Sequence, residues 1–264
     1  GTIFENTKLP ISKWMIGIYL ISSHKNGISS VQLAKDIEVT QTTAWYMLHC
    51  VRTLMKQDED RMLSGNVECD EMYLGGRETN KHNKQKREGT QGRSTKTKTP
   101  IFGMVETSYT IDADNKPHIH TYAKVWKVDD CKAKTLINVI ENNVEAGSYI
   151  TTDELGVYSA IDKSEKGYYH TIVCHKDREF TNAEGFTTNR IEGFWGGFKR
   201  MVFGTYHMVN RSYLPRYIDE SVFRYNTKEL TEGQRFELMF AIAFGKKCQY
   251  CNVKINLSEI RNSI

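Results

Sequence analysis

No stretch of this 264-residue chain approaches the roughly 20 consecutive apolar residues that cross a bilayer, and none has the makeup of a secretory signal. Cysteine is sparse and unpaired in pattern. Cys50, Cys69, Cys131, Cys174, Cys248 and Cys251 are mostly scattered singly, as reduced intracellular thiols are, rather than spaced as a disulfide framework. Internal repeats are absent. Charge of one sign is also scarce, with a net of +4 from 36 basic and 32 acidic side chains, a balance that permits a nucleic-acid partner without requiring one. These absences exclude a membrane-spanning chain and a disulfide-stapled secreted scaffold, and point to a soluble intracellular protein.

What is present is 39% hydrophobic content, enough for one substantial core and a smaller module. The basic surplus is concentrated. Residues 77–98 hold eight basic side chains, Arg77, Lys81, Lys84, Lys86, Arg87, Arg93, Lys96 and Lys98, against two acids, Glu78 and Glu88. With no apolar anchor, this segment reads as a long insert between strands. It is either a solvated loop or a clamp on phosphates, whose neutralisation releases counterions and strengthens binding.

Residues 11 to 56 read as helical. Ile11, Trp14, Ile18 and Ile21 form one stripe, Asn26-Gly27 breaks it, and Ser29 with Gln32 resembles a capping box opening a short helix to about Ile37. Thr40 then caps a helix whose Ala44, Leu48, Val51 and Met55 face inward. Two short helices joined by a tight turn are the layout of a helix-turn-helix, which would offer Gln41, Thr42, Thr43 and Tyr46 to a DNA groove. A plain three-helix bundle is the alternative. Strand signals follow at Val67–Leu74, Ile101–Glu106 and His118–Trp126, then a helix from about Asp130 to Val144 and strands at Tyr149–Thr152 and Tyr168–Cys174. That order predicts an α/β, mixed-sheet core with helices on both faces. Residues 211–244 return to helical periodicity. The predicted domains are a helical module over 1–60, a sheet domain over 65–228 and a helical tail over 229–264.

Ile191, Phe194, Trp195, Phe198 and Val202 form the buried stripe of a further helix, beside which Glu192 and Lys199, seven positions apart, lie about 20° from eclipsed. That flank either faces solvent or presents a carboxylate and an ammonium to a shared ligand such as a metal with a phosphate. Asp70 lies in an otherwise hydrophobic strand, and Asp153 ends another where it emerges into a loop. Each could be solvated surface. If Asp70, Asp153 and Glu192 converge, their repulsion requires a cation, and two divalent ions about 3.5–4 Å apart would activate an attacking oxygen and stabilise a leaving one.

The segments Cys69-Asp-Glu-Met-Tyr-Leu-Gly-Gly76, Lys98-Thr-Pro-Ile-Phe-Gly-Met-Val-Glu106, Thr152-Asp-Glu-Leu-Gly-Val-Tyr158, Thr188-Asn-Arg-Ile-Glu-Gly-Phe-Trp195 through Lys199, Gly204-Thr-Tyr206, and Arg216-Tyr-Ile-Asp-Glu220 to Phe223-Arg-Tyr-Asn226 resemble, in order, DDE-type insertion-sequence transposases of the group related to the eukaryotic Merlin elements. The resemblance implies an RNase H-like core with Asp70, Asp153 and Glu192 as metal-binding triad and Lys199 as the accompanying basic residue. It also puts Asn189 and His175 near the scissile phosphate, with a structural hydrogen bond the alternative for His175. The cofactor it implies is a pair of magnesium ions, or manganese in their place. The implied partners are transposon-end DNA and target DNA, held by the basic insert with Lys199 and Arg200 and acted on by a homodimer or larger assembly. No membrane is involved. The location would be cytoplasmic on a bacterial nucleoid, or nuclear in a eukaryotic host. A zinc ribbon is expected before Thr2, and Cys248 with Cys251 is only half of a four-ligand zinc site, so no structural zinc is expected within these residues. Two rival readings are a stand-alone metal-dependent nuclease and a catalytically silent DNA-binding regulator.

Overall fold

The computed structural model describes residues 2–75, 97–111, 115–174 and 185–244. Of the expected functional residues, Lys81, Lys84, Lys86, Arg87, Arg93, Lys96, His175, Cys248 and Cys251 lie outside them, as does Arg77. The chain forms two compact units, one of residues 1–57, 111–118 and 197–264, the other of residues 58–110 and 119–196. No described helix is long and apolar enough to cross a membrane.

The first unit is helical. Helix α1 (Ile11–Ser23) buries Trp14, Ile18 and Ile21, but Ile11 is 45% exposed. The expected stripe therefore starts one turn later, because Ile11 opens the helix directly after Pro10, ahead of the packed turns. Helix α2 (Ser30–Asp36) is capped by Ser29, whose hydroxyl accepts from Gln32 N at 3.1 Å. Only that half of the expected capping box forms, since the Gln32 amide donates forward to Asp36 Oδ1 at 2.7 Å. Helix α3 (Gln41–Thr53) has Thr40 as its cap, accepting from Thr43 N, and Ala44, Leu48, Val51 and Met55 are all buried.

Helices α6 (Leu214–Asn226) and α7 (Glu232–Ala243) belong to the same unit, and Leu238, Met239 and Ala243 of α7 share a core with Trp14, Ile18 and Leu48. A full capping box stands at Thr231 and Gln234. Glu220 of α6, fully buried, receives the Nε of buried Arg52 at 2.8 Å, the Nη2 of Arg224 at 2.7 Å and the Tyr206 hydroxyl at 2.7 Å. The Arg52 and Arg224 guanidiniums keep its carboxyl below the ordinary value despite burial. Gly27, at φ +82°, lies against this cluster, and a Cβ there would overlap the Tyr206 hydroxyl. The Asn26-Gly27 break thus has a packing cause as well as a conformational one.

The second unit is built on a five-stranded sheet in the order β3-β2-β1-β4-β5, with β1 (Asn66–Leu74), β2 (Thr99–Ile111), β3 (Pro117–Lys127), β4 (Tyr149–Thr152) and β5 (Tyr169–Ile172). Strand β1 pairs antiparallel with β2, placing Asp70 opposite Gly103. It pairs parallel with β4, which in turn runs parallel to β5. This is a mixed sheet with flanking helices, the layout that the order of elements in the sequence predicts. Strand β2 runs on to Ile111, past the Glu106 at which the sequence pattern ends, because its last four residues are exposed and carry no core signature.

Side chains alternate across a strand. Val67 and Cys69 of β1, with Phe102 and Met104 of β2, pack on Leu136 and Ile140 of helix α4 (Ala133–Asn143) and on Tyr158 of a 3₁₀ segment (Gly156–Lys163). Glu68, Asp70 and Gly103 therefore face the other way, where helix α5 (Asn189–Arg200) lies. Its stripe of Ile191, Phe194, Trp195 and Phe198 is buried, as is Val202 in the π-helical turn (Met201–Tyr206) that continues it.

Candidate active site

Strand β1 is parallel to β4, so both strands run toward the same end of the sheet, with Asp70 midway along β1 and Asp153 just past β4. Asp153 follows the last residue of β4, and its Oδ1 accepts from Leu155 N at 3.0 Å, which folds the loop back on the carboxylate. Asp70 on β1 holds Oδ1 on the Glu71 N–H at 2.8 Å and Oδ2 on the Trp195 indole N–H at 3.0 Å. Asp70, Glu71 and Asp153 each offer an oxygen within 4.8 Å of the others.

That closeness has an electrostatic signature. Burial first, then the charges of Glu71 and Asp153, push the Asp70 carboxyl up to about 7, against the opposing pull of the Glu71 and Trp195 donors. Three partly buried acids this close repel one another, and the all-oxygen donor set suits a hard divalent ion such as magnesium or manganese. The residues present fit such an ion.

The structure brings Asp70 and Asp153 together, with Glu71 as the third acid. Glu192 is not among the oxygens within that distance. It is exposed on α5, next to Ile191, whose Cδ1 would stand 3.0 Å from a Cβ on Gly103, the register partner of Asp70. Asn189 opens α5 and is exposed. Lys199 and Arg200 are exposed in its last turn.

Two carboxylates play parts that the sequence does not reveal. Glu71 accepts a hydrogen bond of 2.8 Å from the buried Tyr158 hydroxyl. Glu68, also buried, accepts from Arg190 N at 2.8 Å and Ile191 N at 3.0 Å, so it caps the start of α5 with a negative charge where the helix dipole is positive. Burial holds the Glu68 carboxyl above its ordinary value, and these backbone donors offset only part of that rise. The only hint of either role in the sequence is the crowding of three acids into Glu68–Glu71.

On α3, Gln41 and Thr42 are exposed and Tyr46 is 62% exposed, as a helix presented to a groove requires. Thr43 is half-buried, its hydroxyl 2.9 Å from that of Thr40, and so belongs to the cap. Exposed Trp45 stands beside Tyr46. Lys98, at the start of β2, is half-buried.

The sequence pattern of the ISXO2-like transposase domain matches residues 62–226. No curated protein matches the chain. Among solved structures, the crystal structure of the Mos1 strand transfer complex is similar at 11% identity and a TM-score of 0.33, covering 91% of this chain and 78% of that one. That of a pre-cleavage Mos1 transpososome is similar at 11% identity and a TM-score of 0.24, covering 85% and 76%.

Proposed function

The chain belongs to the ISXO2-like transposase domain family, and from that premise we propose that it is a DNA transposase that cuts at the ends of a mobile element and joins the freed end to target DNA. The observation that carries the reading is the meeting of Asp70 on β1 with Asp153 just past the parallel strand β4. On motif order we also place it in the group related to the Merlin elements.

In the proposed reaction water attacks the phosphorus at the element's end and the P–O3′ bond breaks, leaving a 3′-hydroxyl. The oxygen of that hydroxyl then attacks a phosphorus of the target and displaces a target 3′-oxygen. Asp70 and Asp153 jointly hold one divalent ion, magnesium or manganese. Glu192 with one of them holds a second. Bound there, the ions supply charge neutralisation for the attacking and departing oxygens. Glu68 and Trp195 hold α5, the helix that carries Glu192, against β1, the strand that carries Asp70. Lys199, two turns along α5, steadies a backbone phosphate as a point charge, with Asn189 and His175 placed near the scissile phosphate. No side-chain nucleophile is needed.

Residues 1–60 read element ends through Gln41, Thr42 and Tyr46 of α3, and the basic segment 77–98 with Arg200 neutralises phosphates. Because two ends are cut in concert, the active form is a dimer or larger assembly on DNA, at the nucleoid of a bacterium or in a eukaryotic nucleus.

Glu192→Gln tests the assignment. Cleavage of an end-bearing duplex should be abolished with DNA affinity nearly unchanged, whereas loss of DNA binding would overturn the role given to Glu192. Joined products, rather than nicks alone, separate a transposase from a stand-alone nuclease.

A further inference from the structure

Asp70 is held by a contact that its own strand does not supply. Its register partner across the antiparallel ladder is Gly103, and on the face shared by the two residues the strand is bare. The Trp195 indole fills that space. A Cβ on Gly103 would stand 2.7 Å from Trp195 Cζ2 and 2.9 Å from Cη2, closer than side chains pack. With the ring laid there, its N–H reaches Asp70 Oδ2 at 3.0 Å, while the Glu71 N–H holds Oδ1 at 2.8 Å. Trp195 is itself 3% exposed and cannot turn away without opening the core. One turn earlier on the same helix, Arg190 N and Ile191 N are fixed to Glu68, two residues before Asp70 on β1. The helix is thus attached to β1 at two points, and the second ends on the carboxylate.

Each carboxylate oxygen has two lone pairs, so one donor on each leaves one lone pair per oxygen in a fixed direction. We propose that Trp195 is a positioning residue for the metal, its indole N–H fixing the rotation of the Asp70 carboxylate so that the free lone pairs face Asp153, with Gly103 as the vacancy that admits the ring. This rests on the proposed reading of Asp70 as a metal ligand. Outer-shell hydrogen bonds of this kind are worth about 10–100-fold in metal affinity.

The test is titration of the full chain with Mn²⁺, read by loss of the free-ion electron paramagnetic resonance signal, with thermal unfolding followed on the same samples. Trp195→Phe keeps a ring against Gly103 and removes the donor. Replacing Trp195 with benzothienylalanine, in which sulfur stands where the N–H was, removes the donor and keeps the whole outline. Both should bind Mn²⁺ about 10–100-fold more weakly, the analogue with an unchanged unfolding temperature. If the analogue binds Mn²⁺ as the parent does, the indole serves packing only and the inference is overturned. Asp70→Asn separates the two levels of the argument. Retained Mn²⁺ binding there would overturn the metal assignment and this inference with it, whereas loss there beside unaltered binding in the Trp195 variants would overturn this inference alone.

Discussion

Asp70→Asn should stabilise the metal-free protein while destroying its activity. A carboxyl held at about 7 instead of its ordinary 3.8 makes its ionised form costly to the fold. At about 1.4 kcal/mol for each tenfold change, that cost at pH 8 is roughly 4 kcal/mol, and weakening of the bond from Trp195 brings the net gain on substitution to about 2 kcal/mol. The sign follows from proton counting. Between pH 3.8 and about 7 the folded state keeps a proton that the unfolded chain has released, so stability falls as pH rises through that window and is level on either side. The asparagine variant lacks the slope. Urea unfolding of both proteins in a chelator at pH 4, 6 and 8 measures it, and the variant's advantage should grow across the series. Added Mg²⁺ should restore the parent at pH 8 and leave the variant unmoved. An advantage independent of pH, or a less stable variant at pH 8, would refute the account of a repulsive acid cluster.

Glu220→Ala strands the buried Arg52 guanidinium and removes one acceptor of Arg224, and should cost about 3–5 kcal/mol in denaturant unfolding. Gly103→Ala drives a methyl to 2.7 Å from Trp195 Cζ2; a destabilisation of about 1–3 kcal/mol should come with weaker Mn²⁺ binding, measured by calorimetry. Tyr46→Ala, at an exposed position of α3, should leave the unfolding midpoint within about 0.5 kcal/mol while reducing affinity for an end-bearing duplex in a gel-shift titration.

Much of this architecture is legible where a local rule operates. Strand β4 has the bounds read from Tyr149–Thr152, because a short apolar run between turns has few other fates. The α5 stripe and the Thr40 cap follow from spacing and from one hydroxyl. Other features answer to partners far along the chain. Glu68 meets Arg190 and Ile191 across more than a hundred residues, and nothing around Glu68 announces a helix end. Glu71 looks like a solvated neighbour of Asp70 until Tyr158 arrives from the 3₁₀ segment beyond β4. Ser29-x-x-Gln32 and Thr231-x-x-Gln234 share one capping motif, yet only the second closes reciprocally, because Asp36 competes for the Gln32 amide. The nearness of Asp70 and Asp153 is legible in part, since one lies within a strand and the other just past the end of a second strand; the nearness of Glu71 is not.

The ladder between β1 and β2 closes at Leu74 opposite Thr99, so whatever joins them departs from and returns to neighbouring chain positions. Its length is then free to vary in evolution without shifting Asp70 relative to Gly103. A lineage could lengthen, shorten or recharge that connection while inheriting the pairing of Asp70 with Gly103 intact.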